Sequence, residues 1–124
     1  MKVFFIIALF VLLPALTNAQ LSHVDSLKLA FNNAPDGPLK FKAGSNVYFY
    51  YQELNRDSAL FYSEQQLVIA KRNHNKIAEG VASVSKAYQL MGLGRYGDAL
   101  KCLQTAFSIA EDMRNEKAEK VERK

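Results

Sequence analysis

Across 124 residues there is no tryptophan and only one cysteine, Cys102. A single cysteine excludes an internal disulfide in any compartment. It lies among apolar neighbours and reads as a small buried hydrophobe rather than a reactive thiol. Lysines and acids are interspersed, with no run of five like charges, which argues against a nucleic-acid-binding arm. No segment alternates with period two for long. The one β-like run, VYFYY at residues 47–51, has flanks that fit a helical face, so it is read as helix.

Catalytic patterns are missing too. His23 and His74 have no Cys, Asp or Glu at metal-ligand spacing and read as surface histidines. There is no Gly-x-Ser-x-Gly elbow. Gly92-Leu93-Gly94 lacks the third glycine and the preceding strand of a dinucleotide loop, and a helix-to-helix turn explains it. Glu111 and Asp112 are adjacent, so on a helix they point about 100° apart and make a poor catalytic dyad. The expectation is a non-enzymatic chain with no cofactor, no metal ion and no nucleic-acid partner.

Only one long apolar run is present, VFFIIALFVLL from Val3 to Leu13. Met1-Lys2 precedes it, Pro14 breaks it, and Thr17-Asn18-Ala19 offers small residues at the positions an export peptidase reads. This pattern predicts a signal peptide over residues 1–19, cleaved after Ala19. A retained anchor is the alternative, although the run is short of the roughly 20 residues that span a bilayer. The mature chain, Gln20 to Lys124, loses only the charge of Lys2, so its net charge is +4 less one, or +3. It is expected on the periplasmic or extracytoplasmic face.

What the chain does have is a wide apolar arc and a repeat. Projected as a helix, Ala99, Leu100, Cys102, Leu103, Ala106, Phe107, Ile109, Ala110 and Met113 span about half the circumference. An ordinary surface helix buries a stripe of about 100°. An arc this wide implies two neighbours, one on each flank, as in stacked helical repeats. Sliding residues 41–84 onto residues 81–124 gives ten identities in 44 positions without a gap. They include Tyr48 on Tyr88, Ala59-Leu60 on Ala99-Leu100, Ile69-Ala70 on Ile109-Ala110 and Ala78-Glu79 on Ala118-Glu119. Internal periods of this size mark repeat architectures.

Each repeat reads as two helices. Residues 20–38 form an N-terminal capping helix and loop, with Ser22 as its N-cap and the turn-rich NNAPDGP at residues 32–38. Repeat one covers residues 39–75. Ala43, Val47, Tyr50, Tyr51 and Leu54 mark its first helix, and Asp57 is expected to cap the second. Repeat two covers residues 76–115, with Ile77, Val81, Val84, Ala87, Tyr88 and Met91 on its first helix. Residues 116–124 are expected to begin a third repeat or a capping helix. The predicted fold is all-α, an antiparallel helix-turn-helix stack.

Val84-Ser85-x-x-Tyr88, then Gly94-x-Tyr96-x-x-Ala99, then Leu103 and Ala106, resemble a tetratricopeptide repeat, although the period here is 40 rather than about 34. A signal peptide followed by VDSLKLAFNNAP, NRDSALFYSEQQLVIAKRN and YQLMGLGRYGDALKCLQTAFSIAED further resembles the exported N-terminal region of bacterial membrane-bound sensor histidine kinases. That resemblance implies a sensory or docking segment outside the membrane, joined to the membrane only through a downstream part. No phosphoacceptor-histidine box or nucleotide-binding glycine motif is present, so kinase activity is not carried over to these residues.

In tetratricopeptide stacks the first helices line a concave face that holds peptides. With Tyr48 and Tyr88 as equivalent positions, the resemblance places Lys42, Asn46, Phe49 and Tyr50 on that face in repeat one. In repeat two it places Glu79, Ser83, Lys86, Gln89 and Leu90 there. The lysines suit a peptide carboxylate, Asn46 and Gln89 a peptide backbone, and the two aromatics an anchor. The expected partner is therefore a protein or peptide, in a sensor kinase or in a stand-alone exported adaptor or assembly factor. Cys102, Ile109 and Met113 offer a route to self-association at the C-terminal repeat.

Overall fold

The computed structural model describes residues 23–123, so the signal-peptide region and the Ser22 cap lie outside the described residues. The described residues form helices joined by short turns, with no strand among them. Helix α1 covers residues 23–33. Then follow α2 (Pro38–Tyr51), α3 (Arg56–Arg72), α4 (Lys76–Gly92) and α5 (Tyr96–Glu122). VYFYY is helical, inside α2.

Local chemistry explains the boundaries. Pro38 sits in the first turn of α2, where its missing N–H costs nothing. The N-cap of α3 is Asn55, whose side chain accepts from the Ser58 amide at 3.0 Å. Asp57, expected as the cap, is the second residue of the helix, in its first turn, where it faces the positive end of the helix dipole. Asn75 caps α4 in the same way through the Ala78 amide, also at 3.0 Å. Between α4 and α5 the chain turns at Gly94, whose φ of 77° is a conformation that glycine adopts without steric cost. Helix α5 has no side-chain cap; Asp98 in its first turn pairs with Arg95 at 3.0 Å.

Each helix packs on the next, α2 on α3, α3 on α4 and α4 on α5. Two apolar clusters result. Phe31, Val47 and Ile69 are buried together, with Leu27, Phe41, Tyr51 and Tyr62 against them, so α1 covers the outer side of the first pair. Leu60, Ala87, Leu90 and Ala99 form the second cluster, with Cys102 half-buried beside it. Gly44 is the point of closest approach: a Cβ there would stand 3.1 Å from the Phe31 ring and 3.2 Å from the Gln66 side chain.

The C-terminal segment differs from the expected boundary. Residues 116–122 do not start a separate helix; they extend α5, which runs unbroken for 27 residues. The sequence there, Asn115 to Val121, has no glycine or proline to break a helix. From Ala110 to Arg123 every residue is exposed.

Candidate functional site

The positions proposed for a concave peptide face fall into two sets. Lys42, Asn46 and Phe49 are exposed on α2, and Phe49 is 66% exposed with its ring edge-on to Tyr48. Tyr50 is half-buried, packed edge-to-face on Tyr51 and tilted against His23. The repeat-two positions are turned into the stack instead. Gln89 is 0% and Leu90 1% exposed, and Ser83 and Glu79 are also buried. Lys86 is half-buried and paired with Glu64 on α3 at 3.1 Å. These five residues hold α4 in place and do not line an open groove.

Gln89 shows why. Its amide nitrogen donates to the Tyr48 hydroxyl (3.1 Å) and to the Gln52 carbonyl (3.3 Å). Its amide oxygen accepts from Arg56 (3.2 Å), whose guanidinium also lies 5.6 Å from the Tyr88 ring centroid. The Tyr48 hydroxyl in turn donates to the Ser85 carbonyl at 3.3 Å. This network ties α2, α3 and α4 together, and it is fully satisfied: no buried side-chain polar atom among the described residues lacks a partner. A buried amide without partners costs about 1–3 kcal/mol, so the network is a condition of burying Gln89 at all. Ser83 is satisfied locally, donating to the Glu79 carbonyl at 2.8 Å. Spacing alone cannot tell a glutamine that faces a ligand from one that faces two neighbouring helices.

The open surface lies elsewhere, between α4 and α5. A groove of about 600 Å³ is lined by Ile77, Gly80, Val81, Val84 and Ser85 from α4 and by Ala106, Ile109, Ala110 and Met113 from α5. Ile77, Val81 and Val84 are 62%, 53% and 50% exposed. The expected apolar face of the second repeat's first helix is thus partly bare. Leu100, Leu103 and Phe107 continue the bare surface along α5. The wide arc of α5 is half used: Ala99 is buried and Cys102, Ala106 and Ile109 are half-buried on the α4 side, while the other flank has no packed helix among the described residues.

A matching place exists one repeat earlier. The groove between α2 and α3 is lined by Gly37, Phe41, Ile69, Ala70 and Asn73, which are the positions 40 residues before Ile77, Val81, Ile109, Ala110 and Met113. It measures only about 180 Å³, and Asn75 and Ala78 from the start of α4 complete its wall. The missing neighbour of α5 was anticipated from its sequence; the open groove beside it was not among the candidate positions, whose repeat-two members are buried or half-buried in the stack. The signal that locates it is the 40-residue correspondence itself.

Lys76, Asp112 and Glu116 stand at one end of the α4–α5 groove, beside Ile109 and Met113. Asp36 receives Arg72 on two atoms, one contact at 2.9 Å, and Arg72 holds its carboxyl below the usual carboxylate range. The Tyr88 phenol, donating to Glu53 at 2.8 Å, is raised by that bond. Lys28 is raised chiefly by its bond to Tyr51, and burial raises Tyr62. None of these shifted groups lines the α4–α5 groove. No cluster of three metal-ligating side chains occurs among the described residues.

A family model, the SusR N-terminal TPR domain, matches residues 14–116. The chain belongs to that family and is a tetratricopeptide protein. Neither a curated protein nor a solved structure is significantly similar to it. Domains of this class are protein–protein interaction modules and generally work without catalysis. An apolar groove flanked by exposed large side chains, with no charged constellation in it, is chemistry for holding another protein surface.

Proposed function

We propose that this chain is the exported, sensory part of a signalling protein of the sensor histidine kinase type, and that it receives a protein partner on the α4–α5 face. The observation that carries the docking reading is the uncovered half of α5 beside the open groove. Two sequence features support the placement: the leader pattern that ends at Ala19, and a matching family described as an N-terminal domain. The ligand is a protein or peptide with an apolar face, because the groove offers almost no hydrogen-bonding groups.

Two experiments test this. Cells expressing the chain with a C-terminal tag are fractionated, and the N-terminus of the tagged product is sequenced. A periplasmic product beginning at Gln20 is expected; an intact cytoplasmic product overturns the export reading. A photo-crosslinking residue is then placed at Val84, with Leu39 as an exposed apolar control outside the groove. A discrete adduct at Val84 and none at Leu39 is expected, and no adduct at Val84 overturns the docking reading.

A further inference from the structure

We infer that the α4–α5 groove is filled by residues 115–123 of a second copy of this chain, which makes the protein a two-fold dimer. The inference rests on the docking reading above and names the occupant. The repeat itself describes that occupant. In the first repeat the groove is narrowed to about 180 Å³ by Asn75 and Ala78, at the start of α4. Forty residues on, the same groove measures about 600 Å³. The residues that correspond to the closing pair are Asn115 and Ala118, and Val121 corresponds to Val81.

Those residues cannot close the groove of their own chain while α5 stays intact. They sit on α5, which forms one wall of the groove and continues straight past it. A second copy supplies them with both helices unbroken. Its overhang lies across the groove antiparallel to α5, as helices joined by a short turn lie within each pair. A two-fold axis returns the same contact in the other direction, and exchange of an equivalent element is a low-cost route to a dimer.

Exposure argues the same way. From Ala110 to Arg123 every residue of α5 is exposed, apart from the partial cover that Met113 receives beside the groove, and a short unsupported helix is marginal in water. The large apolar side chains of the open face include Ile77 at 62% and Phe107 at 65% exposed. Val81, Val84, Leu100 and Val121 are also at least half exposed, and exposed apolar patches of this kind mark interaction sites.

The test uses the full chain, expressed from its own first codon, with Cys102→Ala as background. Val81→Cys and Ala118→Cys are made separately, mixed and oxidised. The expected product is a disulfide between the two different chains. In the chain that carries both cysteines, an intramolecular disulfide with no crosslink in the mixture overturns the proposal, because the segment then folds back on its own groove. The unmodified protein is expected to sediment as a dimer, and Phe107→Glu to weaken the dimer about tenfold or more with unchanged helicity. A monomer at all concentrations overturns the proposal, as does a dimer that survives removal of residues 115–124. If the Val84 photo-adduct has the mass of a different protein, the docking reading stands and the second-copy assignment fails. If there is no adduct, both fail.

Discussion

Helices α3 and α5 carry the same pattern 40 residues apart and meet different surroundings. Leu60 is 8% exposed and its counterpart Leu100 is 56%. Ser63 is 0% exposed and Leu103 is 37%. Ala70 is buried and Ala110 exposed, although both belong to an identical Ile-Ala pair. The flank that separates them is the one α4 covers on α3. On the other flank the two helices agree: Ala59 and Ala99 are 0% and 2% exposed, packed on α2 and α4 respectively. A repeat therefore specifies a surface whether or not a neighbour is present to bury it, and the bare copy of that surface is the one proposed above as the docking face.

The largest effect expected is at Leu90. As a groove residue it would tolerate alanine with little loss of stability. As the most buried large side chain of the second cluster, Leu90→Ala should cost about 2–5 kcal/mol, read as a lower denaturant midpoint at unchanged slope. Next comes Gln89→Ala, which strips partners from Tyr48, Gln52 and Arg56 together and should cost about 1–3 kcal/mol. Gly44→Ala follows: a methyl group at 3.1 Å from the Phe31 ring pushes that ring aside by a few tenths of an ångström, and overpacking of this kind costs typically about 1–3 kcal/mol, offset by about 1 kcal/mol that alanine gains over glycine inside a helix. Its counterpart Val84 is half exposed, so Val84→Ala should change stability by less than about 1 kcal/mol.

The smallest effect is at the α1–α2 loop. Arg72 lowers the Asp36 carboxyl, so the folded protein binds that proton less readily than the unfolded chain. The contribution is fully present above the ordinary carboxylate range and is lost as pH falls through the lowered value. Asp36→Asn should therefore be slightly less stable than the parent near neutral pH, and the two should converge in strong acid. Urea midpoints at the two pH values check this. The exposed pair keeps the effect small. The groups 40 residues on, Lys76 and Asp112, carry the opposite signs; there Lys76 pairs with Glu79 at 3.0 Å instead.

Helix period, repeat length and the excess width of the α5 arc were legible in the sequence because apolar spacing reports how many sides of a helix are buried. The cap of α3 was misread because Asn55 and Asp57 are both good caps, and only backbone geometry chooses between them. The continuity of α5 was hidden for a related reason. The Ala118-Glu119-x-Val121 match marks what a new helix would look like, whereas the break one repeat earlier turns on Asn73, His74 and Asn75, and of these only the last has its match, Asn115. The repeat-two positions were carried over by equating Tyr88 with Tyr48, and the structure buries four of the five in the stack. Gln89, Ser83 and Glu79 are polar and buried: Ser83 and Glu79 are satisfied within α4, and Gln89 by Tyr48 on α2, a partner that no spacing rule names.

The most direct test compares Leu60→Ala with Leu100→Ala by denaturant unfolding, at a chain concentration low enough to keep the protein monomeric. The account expects Leu60→Ala to lose about 2–4 kcal/mol and Leu100→Ala less than about 1 kcal/mol. Equal losses would mean that α5 is covered on both flanks within a single chain, and would contradict the claim that its outer half is a vacant docking face.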